Sequence, residues 1–545
     1  MVKRLCIFLL PLSLMMACST HTMIIASNET EKEGPISFTD KNSWWKRDIQ
    51  QDTIPGVSLN RAVSYISNRK KGADVIVAVI DMSVDIGHQY LQGKMWVNQD
   101  EIVNNNIDDD ANGYVDDING WNFIGHSDGK STEYVNYEYT RFLRRYHALF
   151  SGKDSIKNIN ENPGLFDEYT RAQKKYESQS DYAKRDLRSS KYLLLYFDKA
   201  KLKFDELYPS KRPSAEELYE IYKQEKTDKE LARIYYTMFM IERHSYTKEA
   251  LQQRYDIANE RLDKMLNKDF DDRKMIADSP DDIEDKYYGN NIVDYNTEFL
   301  SHGTLVAGII GAVDSEHIKI MPVCISAYGD EHDKDLSLAV RYAVDNGAKV
   351  INISSGKEFS LHEDWVLDAL KYAERNNVLV VTSAGNGGND LDLAENYNYP
   401  NDTDSKGQEM ISNFIKVGAS GHSVKANLKR PSSNYGKNEV DLFAPGTDIL
   451  TISSNQNGFE IVSGTSIATP IVSAIAALIY AHYPNLSAAE VKQVLMESGV
   501  MYDIMVNAPT KEDKERMIPF YQLSKSGKIV NAYNALLMAE NLSKK

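Results

Sequence analysis

The chain is poor in cysteine: Cys6, Cys18 and Cys324 are its only three, and two of them fall within the first twenty positions. A disulfide framework is thereby excluded as a source of stability, even in an oxidising compartment. Cys324 sits in the apolar run Ile318–Ile325 and reads as a small buried core residue, not a nucleophile. Positive charge is also short, since 63 Lys and Arg face 79 Asp and Glu for a formal charge of −16. That is the reverse of the basic stripe a nucleic-acid partner requires. After the N-terminus no apolar run is long enough to read as a transmembrane helix. Glycine is missing altogether between Gly164 and Gly289, which sets that stretch apart from the rest. With 545 residues, 42% hydrophobic and 26% charged, the chain suits one large domain and one extra module.

At the N-terminus Lys3 and Arg4 precede an apolar stretch, Leu5–Met16, that ends in Ala17-Cys18. The stretch is too short to span a bilayer and reads as a signal peptide. Apolar residues followed by Ala-Cys resemble a bacterial lipobox, in which Cys18 becomes the lipidated first residue. Several acyl chains buried together would anchor it stably. Met15 and Met16 are unusual in such a motif and leave ordinary signal cleavage as the other reading. On the lipobox reading, 1–18 is a lipoprotein signal peptide and 19–43 a flexible polar tether. The protein is then extracytoplasmic and lipid-anchored to a bacterial membrane, at the outer membrane or cell envelope.

The glycine-free stretch is helical in pattern. Leu251, Tyr255, Ala258, Leu262 and Met265 recur at steps of four and three, one face of a helix. Leu231, Ile234, Tyr235, Met238 and Phe239 make a second stripe. Ser214 with Glu217 after Pro213 forms a capping box that opens a third helix. Residues 131–285 therefore read as a helical insertion. On either side, apolar runs at Val75–Ile80, Ile318–Ile325, Lys349–Ser354, Val378–Ser383 and Phe414–Gly418 read as strands. Helices are expected over Asp335–Asn346 and Leu361–Asn376. Short buried strands alternating with helices predict an α/β fold with a parallel sheet covered on both faces. In such sheets sites form at the carboxyl ends of the strands.

Three polar residues fall at such places. Asp81 ends the first apolar strand, where a carboxylate is costly unless its charge is used. His302 starts a small-residue helix in Ser301–Gly308 (SHGTLVAG). Ser466, in Ser463–Pro470 (SGTSIATP), opens a nearly wholly apolar helix, next to free backbone N–H groups and the positive dipole end. Acid, base and hydroxyl are what acyl transfer needs, because the hydroxyl becomes nucleophilic only when an oriented base takes its proton.

With these motifs the chain resembles the subtilisin-like (subtilase) family, whose chain order is Asp, His, Ser. Ser433–Gly436 (SNYG) and Phe443–Gly446 (FAPG) are also similar to family segments. The resemblance covers 44–130 and 286–540 and implies a subtilisin-like serine endopeptidase that needs no cofactor for chemistry and acts on extended polypeptides. It implies that Asp81 orients the imidazole, His302 is base and then acid, and Ser466 is the nucleophile. Asn386, in Ser383–Gly387 (SAGNG), would donate to the oxyanion. Ser354, Ser355 and Gly356, with Ala384 and Gly385, would bind substrate, the first three by pairing with its backbone. The chain departs from the family pattern at Met82-Ser83, where a hydroxyl residue and then glycine usually follow the acid. It departs again at Leu305, in place of a frequent histidine. These departures and the insertion keep a second class open, a catalytically weak pseudoprotease or binding protein that presents the helical module. The insertion itself either restricts access, recruits a protein partner, or is a passive addition.

One acidic loop has metal-ligand spacing. Asp108, Asp110, Asn112 and Asp116 follow D-x-D-x-N-G-x-x-D, with oxygen ligands on alternate residues and a turn glycine. The pattern suits a structural Ca²⁺, as in similar loops of many subtilases, although Asn119 stands where an EF-hand has glutamate. An acidic surface turn is the equal alternative.

Overall fold

The computed structural model describes residues 24–25, 43–67, 72–225, 227–313, 316–404, 407–455 and 458–544. The signal peptide, Cys18 and nearly all of the tether lie outside the described residues. Within the tether segment, Ile24–Ile25 is placed as a parallel strand beside Met501-Tyr502.

Among the described residues ten strands form one sheet. In chain order they are β1 (Ile24–Ile25), β2 (Val75–Asp81), β3 (Trp121–Asn122), β4 (Ile318–Cys324), β5 (Val350–Ile353) and β6 (Leu379–Ser383). They continue with β7 (Phe414–Ser420), β8 (Leu442–Pro445), β9 (Val500–Tyr502) and β10 (Lys528–Ile529). Their spatial order is β1-β9-β10-β8-β7-β6-β5-β2-β4-β3, and only the β9–β10 pair is antiparallel. The predicted α/β class therefore holds, and the strands lie within a residue or two of the expected runs.

Period-two alternation distributes β2 between two cores. Val75, Val77 and Val79 join one cluster, and Ala78 and Ile80 join the other. The helices are α1 (Leu59–Ile66), then α2 (Glu138–Ser151), α3 (Ser155–Glu161), α4 (Pro163–Leu207), α5 (Ala215–Gln224), α6 (Lys229–His244) and α7 (Lys248–Glu260). After these come α8 (His302–Gly311), α9 (Asp333–Asp345), α10 (Glu363–Arg375), α11 (Thr465–His482), α12 (Ala488–Ser498) and α13 (Ala532–Ser543). The first face carries α1, α8 and α11 to α13, and the second carries α9 and α10. Helix α11 is apolar and long enough to cross a membrane, but it is 89% buried as the central core helix.

The insertion is helical from α2 to α7, with a π-turn at Arg261–Met265. Helix α4 runs for 45 residues without an interior glycine and packs against α2, α6 and α7. Glycine would cost about 1 kcal/mol at each interior position relative to Ala, so its absence from the sequence is the helix itself. The capping box is present: Ser214 Oγ accepts from Glu217 N–H and the Glu217 carboxylate accepts from Ser214 N–H. Leu251 and Ala258 are buried as the stripe predicted.

The helical part stops at Met265, ahead of the boundary expected at 285, because the next stretch is acidic and carries no apolar stripe. That stretch packs against the core around the parallel sheet through buried charge. Arg273 donates to both oxygens of Asp335 at 2.7 and 2.9 Å and to Asp278 at 2.6 Å. His332 lies 3.1 Å from Asp272.

Strand β2 has β4 on one side and β5 on the other. The chain thus departs from β2 in both directions, and the crevice of a parallel sheet forms at the carboxyl ends of such strands. Asp81 is the last residue of β2.

Candidate active site

Asp81 has a side chain only 2% exposed. Its Oδ1 accepts from the Met82 N–H at 2.7 Å and meets His302 Nδ1 at 2.7 Å. Oδ2 is buried and has no hydrogen-bond partner among the described residues. Ser83, the candidate to support this carboxylate, is buried but makes no hydrogen bond to it. The imidazole is therefore the chief counter-group to a buried charge. Burial acts to lower the pKa of His302, but the charge of Asp81 and the hydrogen bond to it prevail and raise it. With Nδ1 engaged, Nε2 is the nitrogen left to handle a proton.

Helix α8 starts close against the loop that leaves β2, and glycine permits it. A Cβ at residue 303 would lie 2.6 Å from the Ser83 carbonyl oxygen. Leu305 is buried, as a packing residue should be. Cys324, opposite Asp81 in the β2–β4 register, is buried, and burial first and Asp81's charge second push its thiol far up. It remains a neutral thiol with no nucleophilic character.

Ser466 is the second residue of α11 and is half-buried. Four residues on, Pro470 has no N–H, so the Ser466 carbonyl lacks its helical donor. Ser354 supplies one: its hydroxyl donates to that carbonyl at 2.9 Å. Asn352 in turn donates to Ser354 Oγ at 2.9 Å, and Ser473 donates to Asn352 Oδ1 at 2.8 Å. All three residues are buried. The chain of bonds fixes the start of α11 to β5, the strand beside Asp81.

Asn386 lies in the loop after β6. Its Oδ1 accepts from the Thr465 N–H at 3.0 Å, which leaves the side-chain NH₂ as a donor. A Cβ at Gly464 would stand 3.1 Å from Ser466 Oγ and 3.7 Å from Asn386 Nδ2. Hydroxyl and amide thus converge beside a residue with no side chain. The loop is held by Asn434, which donates to the Ala384 carbonyl at 2.7 Å and accepts from Gly387 and Asn389 N–H.

Of the expected substrate-binding residues, Gly356 is exposed and Gly385 is half-buried with φ +90°. Ser354 turns its hydroxyl to Ser466, so its side chain serves position rather than a cleft. The Ser355 carbonyl already accepts from Ser383 Oγ at 3.2 Å. Asn398 fills the slot between the two segments. It donates to the Ser383 carbonyl at 3.0 Å, and its Oδ1 would meet a Cβ at Gly356 or at Gly385, at 3.2 or 2.7 Å. Asn352, Ser473, Asn434 and Asn398 are the residues that sequence reasoning missed. Only Asn434 had a signal, inside the SNYG block.

The acidic loop is held by hydrogen bonds from its own backbone to its polar side chains. Asp108 accepts from the Asn112 and Gly113 N–H groups, Asp116 from those of Asn105 and Asn106, and Asn112 Oδ1 from Tyr114. These oxygens are used to shape turns. Asp110 lies with Glu101 and Asp117, ligand atoms within 4.8 Å of one another, and these carboxylates also shape the loop, Glu101 accepting from the Asp109, Asp110 and Asp116 N–H groups and Asp110 from that of Asn112. Burial raises the pKa of Asp117, partly offset by bonds from Tyr342, Asn98 and Asn112. Three carboxylates gathered in a largely buried spot, one of them shared with the D-x-D-x-N-G-x-x-D set, have the oxygen chemistry that suits a hard cation.

Against this geometry the comparisons are decisive on ancestry. The subtilase family model matches residues 72–518, well over half of the chain. The chain belongs to the subtilase family. Among relatives of this subtilase, the cell wall-associated protease of Bacillus subtilis (strain 168) is 34% identical over 225 residues, covering 39% of this chain. The match spans only 23% of that protein's length. Subtilisin DY of Bacillus licheniformis is 30% identical over 214 residues, covering 38% of this chain and 72% of that protein. A crystal structure of a lanthipeptide protease is similar at 25% identity and a TM-score of 0.36, covering 46% of this chain and 78% of that one. Membership supports a hydrolase of peptide bonds.

On the reading of His302 as general base, its raised pKa has a kinetic consequence. The imidazole must be neutral to accept a proton, so kcat/KM should rise with pH through an ionisation above the ordinary histidine value of about 6.5. Asp81→Asn removes the charge that raises it. The profile's midpoint should then move to lower pH while kcat falls by about 10⁴-fold. A pH–rate profile of both forms checks this, and an unmoved midpoint counts against the pairing.

Proposed function

We propose that this subtilase is a serine endopeptidase working through Asp81, His302 and Ser466, tethered to a bacterial envelope outside the cytoplasm. The observation that carries the reading is the Nδ1–Oδ1 hydrogen bond of His302 to a buried carboxylate, 2.7 Å long, at the end of β2. The serine helix is fastened to the adjacent strand.

Asp81 holds His302 in the tautomer with the proton on Nδ1, so that Nε2 takes the proton of the Ser466 hydroxyl as Oγ attacks the peptide carbonyl carbon. The tetrahedral oxyanion lies at the N-terminus of α11, where the Asn386 NH₂ and the Ser466 N–H donate to it. His302 then gives its proton to the leaving amine, and the acyl-enzyme forms. Water, deprotonated by the same imidazole, attacks the ester carbonyl and releases the acid. Ser354, Asn352 and Ser473 keep the serine in place through its backbone.

A fluorophosphonate probe should label the protein but not Ser466→Ala, and Asn386→Ala should lower kcat by about 10²–10³-fold with little change in KM. Absence of labelling would favour the non-catalytic binding protein instead.

The tether reading rests on Leu5–Met16 followed by Ala17-Cys18. Expressed with its own N-terminus, the protein should partition with membranes and Cys18→Ala should move it to the soluble fraction. Unchanged partitioning would remove the lipid anchor.

A structural Ca²⁺ belongs to the same proposal, held by Glu101, Asp110 and Asp117. Titration after chelation should release heat and raise the melting temperature by several degrees, and Asp117→Asn should abolish both. A flat titration would return the loop to an ordinary acidic turn.

A further inference from the structure

Helix α4 is exposed along one side for most of its 45 residues. Its inner side meets the rest of the insertion. Leu193 and Phe197 pack with Leu251 of α7, and Ala200 and Phe204 with Leu218 of α5 and Met238 and Phe239 of α6. At about 100° per residue, Arg188, Lys191, Leu195, Asp198, Leu202 and Glu206 fall together on the opposite side, and all six are exposed.

Two of the six are out of place there. Leu195 is 70% exposed and Leu202 71%, on a face where helix amphipathicity calls for polar side chains. They stand seven residues apart, the repeat at which one helix offers an apolar seam to another. A single exposed leucine is ordinary on a protein surface. A pair in heptad register, set inside an ordered run of charge, is not.

The order of the charges points to the occupant. Before Leu195 come Arg188 and Lys191, and neither forms an ion pair among the described residues. After Leu202 comes Glu206, whose Oε2 takes Lys203 of its own helix at 3.0 Å and whose Oε1 makes no bond among the described residues. Between the leucines stand Asp198 and Lys199, already paired with Lys248 and Glu230 of the same chain. Read along the helix, the face runs positive, apolar, negative, positive, apolar, negative, which is complementary to its own reverse. On a second copy laid antiparallel, Leu195 meets the partner's Leu202, Lys191 meets the partner's Glu206, and Asp198 meets the partner's Lys199. Laid parallel and in register, Lys191 would face the partner's Lys191, and like charges directly opposed disfavour that pairing.

We infer that the outer face of α4 is a two-fold contact between copies of this chain, the two helices antiparallel with Leu195 and Leu202 at the seam. A two-fold axis uses the same patch twice, so each favourable pair occurs two times. The contact runs for about five turns, from Arg188 to Glu206, and is smaller than the roughly 1,600 Å² of a standard interface. The dimer should therefore dissociate at concentrations on the order of micromolar. The inference is independent of the peptidase reading.

Sedimentation equilibrium of the full chain in density-matched detergent, from about 1 to 100 μM, should show a monomer–dimer equilibrium. Lys191→Glu and Glu206→Lys should each weaken the dimer about tenfold, because each reversal places two like-charged pairs in the contact. A chain carrying both reversals, and an equimolar mixture of the two single variants, should regain the association of the wild type, since opposite charges again face each other. Leu195→Glu should leave a monomer throughout, with the circular dichroism of the helices unchanged. A wild type that stays monomeric over the whole range, or single reversals that leave the equilibrium where it was, would overturn the inference. Failure of the double reversal to restore association would overturn the antiparallel pairing and the inference with it.

Discussion

A carboxylate that is almost wholly removed from water is the constraint around which this molecule is arranged. Burying an ionised group without a partner costs several kcal/mol even after relaxation. Asp81 has one backbone N–H and one imidazole to offset that cost. The imidazole cannot drift, so its helix must begin at the strand's end. Glycine at 303 allows the helix to press against the Met82-Ser83 carbonyls. On the neighbouring strand Cys324 sits opposite as a thiol too desolvated to ionise, so no second negative charge competes. The same buried pair that is costly in the folded state is what places an imidazole of raised pKa at the crevice.

The serine end of the site is governed by a different requirement, the satisfaction of backbone polar groups. Pro470 leaves one carbonyl of α11 without a helical donor, and a buried orphan carbonyl costs on the order of 1–3 kcal/mol. The carbonyl belongs to Ser466, and the donor that answers it comes from the end of β5. A defect in the helix has thus become a tie between Ser466 and the strand next to Asp81. Ser473, two turns along α11, adds a second tie through Asn352.

These two constraints explain which residues were legible in the sequence. Asp81, His302 and Ser466 stand at the ends of apolar elements, where a polar residue is conspicuous, and each lies in a well-formed motif. Asn352 and Ser473 are single polar residues inside buried elements. Their meaning exists only once strand and helix, 121 residues apart, are brought together. The acidic loop shows the same limit from the other side. Its spacing was plain, but spacing could not show that the fold brings Glu101 and Asp117, from outside the pattern, beside Asp110. The helical insertion was visible because glycine loss and apolar stripes are local properties. Its end at Met265 was not, because the segment beyond Met265 is held by buried ion pairs with α9 rather than by periodicity.

Those ion pairs bear on how the insertion can act. It leaves the core near Asn136 and returns near Asp272, and the two are joined by a bond from Asn136 N–H to Asp272 at 3.0 Å. At the same place Lys357 lies between Asp333 at 2.8 Å and Glu138 at 3.3 Å, and donates to the Glu331 carbonyl. Lys357 is the residue after Gly356, so the first helix of the insertion and the segment expected to pair with substrate share one buried cation. Removing one member of such a cluster leaves the others charged and unpaired, a loss of about 3–5 kcal/mol. A hinge would need this junction to open and close with little cost. Its construction argues instead for an insertion held rigidly, one whose position is set by the same segment expected to pair with substrate.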